Sequence, residues 1–197
     1  MNTFSRCLVS LSLPVAALAI AAGPAHAQRV HFHDPAGDAR VVHGRSKLVP
    51  GGLDITRVSV DNRPGALVAT VGFDKIVSGD LFVLVDPRRG QSVALVSRHH
   101  EDGRTRNFIR SVSLTAGDIT FSRVQCDGFR VAWNDNTAEA KLWMPPRCLN
   151  GGHYGAVRVG VGTEDNRPAH RGVDVDTAPN HPTHRGLLEW RRWIERD

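Results

Sequence analysis

The sequence predicts an all-β protein: a single-domain antiparallel β-sandwich, jelly-roll-like, with about nine or ten strands. Apolar and polar residues alternate over short runs such as Phe129–Trp133 and Val157–Val161, and a period of two residues is that of a half-buried strand. Gly, Pro, Asn and Asp separate these runs at regular intervals, as turns do in sandwiches. Only the C-terminal stretch has a helical pattern.

A hairpin between residues 53 and 73 is the clearest element. Leu53–Asp61 and Ala66–Phe73 are rich in β-branched residues, and the intervening Asn62–Gly65 contains the turn dipeptide Pro-Gly. The second run places a fully apolar set on one of its faces: Leu67, Ala69, Val71 and Phe73. We therefore expect two adjacent antiparallel strands here.

The other predicted strands follow the same logic in chain order. They are Leu81–Val85, Ser92–Arg98, Thr105–Leu114, Ile119–Val124, Phe129–Trp133, Ala138–Trp143 and Val157–Val161, and the short runs Val30–His33 and Val41–Val42 are candidates for a further strand. Leu81–Val85 is apolar on both faces, which is typical of a buried central strand.

The C-terminal part of the chain is less regular. Residues 162–185 are polar and rich in Pro, Gly and His, which predicts a long surface loop. Leu187, Trp190 and Ile194 have helical spacing, but the segment is too short to be a stable helix alone. We expect Trp190 and Trp193 to dock on the sandwich and hold the terminus.

The N-terminus predicts export. Residues 1–27 combine one basic residue, an apolar run and the small-residue site Ala25-His26-Ala27, which is the pattern of a cleaved signal peptide. A membrane anchor would need about 20 apolar residues, and this run is shorter and contains Pro14. The prediction is a secreted, extracellular domain over residues 28–197, with no membrane anchor after cleavage.

Cys126 and Cys148 remain after the predicted cleavage. An even number of cysteines in an exported chain predicts one disulfide, whose loop closure would stabilise the fold by about 3 kcal/mol. The alternatives are two free thiols or a metal site, but no ligand-type residue lies beside either cysteine at short spacing.

Three aspartates, Asp34, Asp38 and Asp54, are the candidate metal ligands. Carboxylates gathered near a turn can bind Ca²⁺, a hard cation that takes six to eight oxygen ligands. The alternative is turn chemistry, in which Asp accepts hydrogen bonds from nearby backbone N–H groups. Asp174-Val175-Asp176 is a second acidic pair, although it lacks the full calcium-loop pattern. No other cofactor is predicted.

Catalytic motifs are missing from the sequence. It contains no His-Glu-x-x-His, no Gly-x-Ser-x-Gly, no phosphate loop and no dinucleotide fingerprint. A Ser/His/Asp site assembled from distant positions remains open, because triads are defined by geometry. His31 and His33 would share one strand face and could chelate Zn²⁺ or Cu²⁺ with further ligands.

The most basic segment is Arg98–Arg110. It can hold an anionic polymer such as a cell-wall glycan, or it can be a solvated hairpin. A nucleic acid would need interleaved stacking aromatics, and the segment has only Phe108. The formal net charge of +5 is mild for this size, and no nucleic-acid partner is predicted.

The acidic turn Asp34–Asp38, the Asp54-Ile55 pair and the Leu67–Phe73 strand together resemble the opening of DOMON-like domains and family 9 carbohydrate-binding modules. Cys126, the segment Pro145–Leu149 and a late Trp are similar to a group of secreted proteins from high-GC bacteria. The resemblance implies a sandwich fold more than an activity.

Taken together, the sequence predicts a secreted, non-catalytic β-sandwich that binds an extracellular glycan or cell-wall polymer. Two alternatives are retained. One is a secreted hydrolase with a dispersed His/Asp/Ser site, and the other is a metal- or cofactor-binding sandwich.

Overall fold

The computed structural model describes residues 28–43, 52–115, 118–165, 173–178 and 193–196. Twelve strands lie within these ranges: β1 (Arg29–His33), β2 (Arg40–His43), β3 (Ile55–Asn62), β4 (Leu67–Phe73), β5 (Gly79–Pro87), β6 (Ser92–His99), β7 (Thr105–Thr115), β8 (Asp118–Val124), β9 (Arg130–Asn134), β10 (Glu139–Met144), β11 (Val157–Asp165) and β12 (Val173–Ala178). Short 3₁₀ turns at Pro146–Cys148 and Asn150–Gly152 precede β11.

The strands form two antiparallel sheets that pack as a sandwich. One sheet has the order β1-β3-β4-β10-β9, and the other has the order β2-β12-β11-β5-β6-β7-β8. The predicted all-β sandwich is confirmed, although the described residues alone contain twelve strands where nine or ten were expected. The second sheet includes a four-strand meander, β5 to β8, in which each strand pairs with the next.

The predicted hairpin at residues 53–73 is the β3–β4 pair. Val58 lies opposite Val71 and Val60 opposite Ala69, so the two strands bury one continuous apolar face. The central position predicted for the segment Leu81–Val85 also holds, because β5 lies between β11 and β6.

The core lies between the sheets and consists of branched aliphatic residues with Phe73, Met144 and Tyr154. Its fully buried members include Ile55, Val58, Val60, Leu67, Val71, Leu81, Leu95, Ile109, Leu142, Met144, Leu149 and Tyr154. A smaller cluster of Ala94, Val96 and Val112, with Phe82, Leu84 and Phe108, lies on the outer face of the seven-stranded sheet.

The loop predicted for residues 162–185 needs correction. Residues 162–165 continue β11, and Val173–Ala178 form β12, which pairs with β11 on one side and β2 on the other. The polar composition was misleading because β12 places Asp176 on its buried side, where a strand usually carries an apolar residue. Residues 166–172 and 179–185 of this interval, the predicted signal peptide and Trp190 lie outside the described residues.

Two features hold the periphery of the sandwich. Cys126 and Cys148 form a disulfide, with their Cα atoms 5.3 Å apart. Near the C-terminus, Ile194 is buried and exchanges two backbone hydrogen bonds with Val157 on β11. The Trp193 ring beside it is contacted by the guanidinium groups of Arg88 and Arg158.

A search of the described residues for a membrane-spanning helix finds no candidate of sufficient length and apolar character.

Candidate metal centre

Three aspartates from distant parts of the chain meet at one end of the sandwich. Asp34 follows the last residue of β1, Asp38 lies in the turn after it, and Asp176 belongs to β12. One carboxylate oxygen from each residue lies within 4.8 Å of the other two. Asp34 and Asp176 are buried and Asp38 is half-buried, so the group sits at the edge of the core.

The cluster joins the two sheets. Asp34 follows β1 in the five-stranded sheet, and its backbone N–H donates to the carbonyl of Thr56 on β3. Asp176 belongs to the seven-stranded sheet, and its Oδ2 accepts from the backbone N–H of Ile55 at the start of β3, at 2.6 Å. The backbone of Asp34 and the carboxylate of Asp176 are therefore tied to neighbouring residues of one strand.

The turn between Asp34 and Asp38 is shaped by Gly37. Its φ of 84° lies in the left-handed region, where a side chain would be strained. The Gly37 N–H donates to Oδ2 of Asp54 at 2.6 Å, which holds the turn against the start of β3. This contact brings Asp38 back toward the sandwich, with its Oδ1 buried and without a hydrogen-bond partner in the described part of the chain.

Asp54 therefore has a different position from the one predicted. The sequence suggested Asp34, Asp38 and Asp54 as ligands, whereas the structure brings Asp176 to Asp34 and Asp38. The Asp54 carboxylate lies behind the turn, where it accepts the hydrogen bond from Gly37 that orients the turn. Burial raises the pKa of Asp54, the hydrogen bond from Gly37 opposes this shift, and the charge of Asp38 adds to it.

The surroundings of Asp176 disfavour its ionised form. Burial is the main cause that raises the pKa of Asp176 to about 7, and the negative charges of Asp34 and Asp38 raise it further. Hydrogen bonds from the backbone of Ile55 and Thr177 oppose the shift without cancelling it. The ionised cluster is thus unfavourable on its own, because like charges in a low-dielectric site repel.

A metal cation would remove this repulsion. The triad Asp34, Asp38 and Asp176 can hold a metal ion, because it offers three carboxylates in one place and no nitrogen or sulfur ligand. Each carboxylate oxygen has two acceptor positions, so the backbone hydrogen bonds to Asp176 leave it able to bind a cation as well. An all-oxygen donor set suits hard cations such as Ca²⁺.

The sequence did contain a signal for the missing ligand. Asp174 and Asp176 form a second acidic pair in the sequence, but nothing in one sequence connects this pair to Asp34, about 140 residues earlier. The connection depends on β12 joining the seven-stranded sheet beside β11, and the polar composition of β12 concealed the strand.

The predicted histidine pair lies elsewhere. His31 and His33 are exposed on β1 and line a cleft of about 430 Å³ on the outer face of the five-stranded sheet. Among the described residues, the only group of three metal-ligating side chains is the acidic triad, so no third ligand joins these histidines there. The cleft is also lined by Arg29, Arg57 and Lys141.

A buried serine lies near a histidine at the other sheet. Ser97 donates a hydrogen bond to Oδ1 of Asn107 at 2.7 Å and accepts one from the Trp133 indole at 2.9 Å. The His99 ring packs against Trp133, with ring centroids 4.9 Å apart. Ser97 thus uses its hydroxyl in a packing network, and its described hydrogen bonds do not include His99.

No family model matches the chain, and no curated protein shows significant similarity to it.

Proposed function

We propose that this protein is an exported, non-catalytic β-sandwich binding module whose fold is completed by Ca²⁺ bound to Asp34, Asp38 and Asp176. The observation that carries the proposal is the convergence of three carboxylates, two of them buried, on one point between the sheets. Water screens carboxylates on the surface, whereas buried ones must be neutralised by a proton or by a cation.

Calcium is the ion that fits best. The donor set is all oxygen, which disfavours Zn²⁺ and Cu²⁺ because they prefer nitrogen and sulfur. Mg²⁺ demands near-ideal octahedral geometry and keeps several waters, whereas Ca²⁺ accepts irregular sites built from loops and strands. A site formed by a turn and a distant strand has that irregular character.

Export and a binding role have separate support. The Cys126–Cys148 disulfide is consistent with an oxidising compartment, as the predicted signal peptide requires. The hydroxyl of Ser97 is engaged by Asn107 and Trp133, which favours a binding module over a hydrolase built on that serine. The two-sheet sandwich and the acidic opening agree with the resemblance to DOMON-like and family 9 carbohydrate-binding domains.

Calorimetric titration of the purified protein with Ca²⁺ tests this proposal. We expect one Ca²⁺ per chain for the wild type and at least about tenfold weaker binding for Asp38→Asn, because one charged ligand is lost. Asp38 is the best position because it is the least buried of the three.

Asp135→Asn is the matched control. Asp135 is exposed in the turn between β9 and β10, and the substitution makes the same change in net charge. It should bind Ca²⁺ as the wild type does. Absence of Ca²⁺ binding by the wild type, or equal binding by Asp38→Asn, would overturn the proposal.

A further inference from the structure

The outer face of the seven-stranded sheet carries four arginines around one phenylalanine. We call this surface the arginine face; it consists of Arg98 on β6, Arg106, Phe108 and Arg110 on β7, and Arg123 on β8. These five residues line a shallow depression of about 140 Å³. Arg123 comes from outside the basic segment Arg98–Arg110, so the sheet extends a patch that the sequence only partly revealed.

The arginines face one another across the strands. Arg98 lies directly opposite Arg106, and Arg110 lies directly opposite Arg123. Directly opposed residues in antiparallel strands have Cα atoms about 5 Å apart, and like charges in such pairs destabilise a sheet. The repulsion is clearest between Arg110 and Arg123, which form no ion pair among the described residues, and a bound anion would relieve it.

Most of this positive charge has no acidic neighbour. Arg98 forms an ion pair with Asp80, with 2.6 Å between Nη2 and Oδ2. In the part of the chain that the structure describes, no carboxylate pairs with Arg106, Arg110 or Arg123. The guanidinium groups of Arg106 and Arg110 lie over the Phe108 ring, at 6.0 and 5.1 Å from its centre. This stacking pre-orients them without neutralising their charge.

The larger cleft on the five-stranded sheet differs in this respect. Its arginines are compensated: Arg29 and Arg63 share Asp61, and Arg57 pairs with Glu139. An anion entering there would have to displace or share these carboxylates. The arginine face is therefore the better anion site although its depression is smaller.

The spacing of the arginine pairs selects an extended ligand. Arg106 and Arg110 are four residues apart on β7, which places the two pairs about 14 Å apart along the strand. A small anion can contact one pair only. A polymer with repeated negative charges can contact both, and Arg forks suit its carboxylate groups.

We propose that the arginine face binds an acidic polysaccharide, a polyuronate-type glycan lying along β7. This inference rests on the proposed role as an extracellular binding module and names the partner class. The glycan would be recognised by its charge and not by ring stacking, because the Phe108 ring is already contacted by arginines.

Other anionic partners fit this surface less well. A nucleic acid would need several free aromatic faces. Phe121, the one large hydrophobic side chain exposed among the described residues, offers little area for insertion into a membrane.

Binding of labelled polygalacturonate to the purified full chain tests the proposal, with neutral dextran as the control ligand. We expect binding at low salt that weakens strongly by ~0.3 M NaCl, since exposed charges are then screened. Galacturonate monomer should compete poorly with the polymer. The double variant Arg110→Gln/Arg123→Gln should bind at least about tenfold more weakly.

Arg104→Gln/Arg130→Gln is the matched control variant. It removes two exposed arginines outside the arginine face and makes the same change in net charge. It should bind within about twofold of the wild type, because surface charges away from the site contribute little.

The melting temperature of Arg110→Gln/Arg123→Gln should equal or exceed that of the wild type, because a like-charge pair is removed. Loss of binding with retained stability then assigns the effect to the site and not to the fold. Four results would overturn the proposal: wild-type affinity in this variant, equal loss in the control variant, equal binding of dextran, or binding of single-stranded DNA or anionic vesicles without polygalacturonate. None of them bears on Ca²⁺ binding, so the two proposals can fail separately.

Discussion

Strand β3 carries a buried polar site at each end, and the two sites are built on opposite principles. At its C-terminal end, Asn62 is fully buried. Its Oδ1 accepts from the Tyr154 hydroxyl at 2.9 Å, and its Nδ2 donates to the carbonyl of Ile194 at 3.0 Å. At the N-terminal end, Ile55 donates its N–H to Asp176, which faces two more carboxylates.

The difference is one of charge. The Asn62 site is neutral, and protein groups satisfy its hydrogen-bond donors and acceptors, so it needs no bound ion or ligand. At the Asp176 site, burial is the main cause that raises the pKa of Asp176, and the charges of the neighbouring aspartates add to it. Elsewhere the chain neutralises a buried aspartate with arginine, as Asp61 is neutralised by Arg29 and Arg63, and there the pKa is lowered. A buried polar site can therefore be completed either by groups of the chain itself or by a bound ligand.

Asn62→Ala should have the largest effect on stability. It leaves the buried Tyr154 hydroxyl without its acceptor and removes one of the two hydrogen bonds that the Ile194 carbonyl accepts, which costs about 3 kcal/mol. Thermal unfolding should show a melting temperature lower by roughly 10 °C. Asn136→Ala, at an exposed turn position, should stay within about 0.5 kcal/mol of the wild type. Equal melting temperatures for the two variants would mean that the hydrogen bonds of Asn62 do not stabilise the fold as described.

Acidification should stabilise the metal-free protein by a smaller amount. The pKa of Asp176 is raised to about 7, so the folded state binds a proton at a pH where the unfolded chain does not. Stability from this group is therefore gained as the pH falls through 7 and lost as it rises. Between pH 8 and pH 6 we expect a gain on the order of 1 kcal/mol in chelator, or roughly 3 °C.

Saturating Ca²⁺ supplies the control for this pH effect. The cation competes with the proton for the same carboxylates, so the gain on acidification should shrink or reverse in its presence. Identical pH profiles with Ca²⁺ and with chelator would contradict the assignment of the effect to the acidic cluster.

Most of the sandwich could be predicted because its strands follow simple patterns. The alternation in β4 and β11 and the turns between strands identify these elements locally. β12 could not be recognised in this way. Val173 and Val175 alternate with Asp174 and Asp176, but the strand is short, its flanks are polar, and its buried residues include Asp176, whereas Val175 is half-buried. β12 pairs with the preceding strand β11 on one side and with β2, about 130 residues earlier, on the other, and the second pairing cannot be inferred from local sequence.

The candidate site was predictable only in part for the same reason. The turn Asp34–Asp38 could be identified from its residues, and Asp54 was an obvious neighbour in sequence. Whether a carboxylate binds a metal or orients a backbone depends on which way its oxygens point. Asp54 accepts from Gly37, and Asp176 reaches the cluster across the sheets. Which of these two aspartates joins the cluster depends on the tertiary structure, and the spacing of residues in the sequence does not indicate it.

Thermal unfolding of the wild type and Asp38→Asn, each in chelator and in saturating Ca²⁺, tests the central claim most directly. At a Ca²⁺ concentration of about 100 Kd the wild type should gain about 2.7 kcal/mol, or roughly 8 °C. Asp38→Asn should melt at or above the wild type in chelator, because one repelling charge is gone. With binding weakened at least about tenfold, it should gain at most about 1.4 kcal/mol, or roughly 4 °C, at the same Ca²⁺ concentration. A wild type that does not respond to Ca²⁺, or a variant that gains as much as the wild type, would contradict the account.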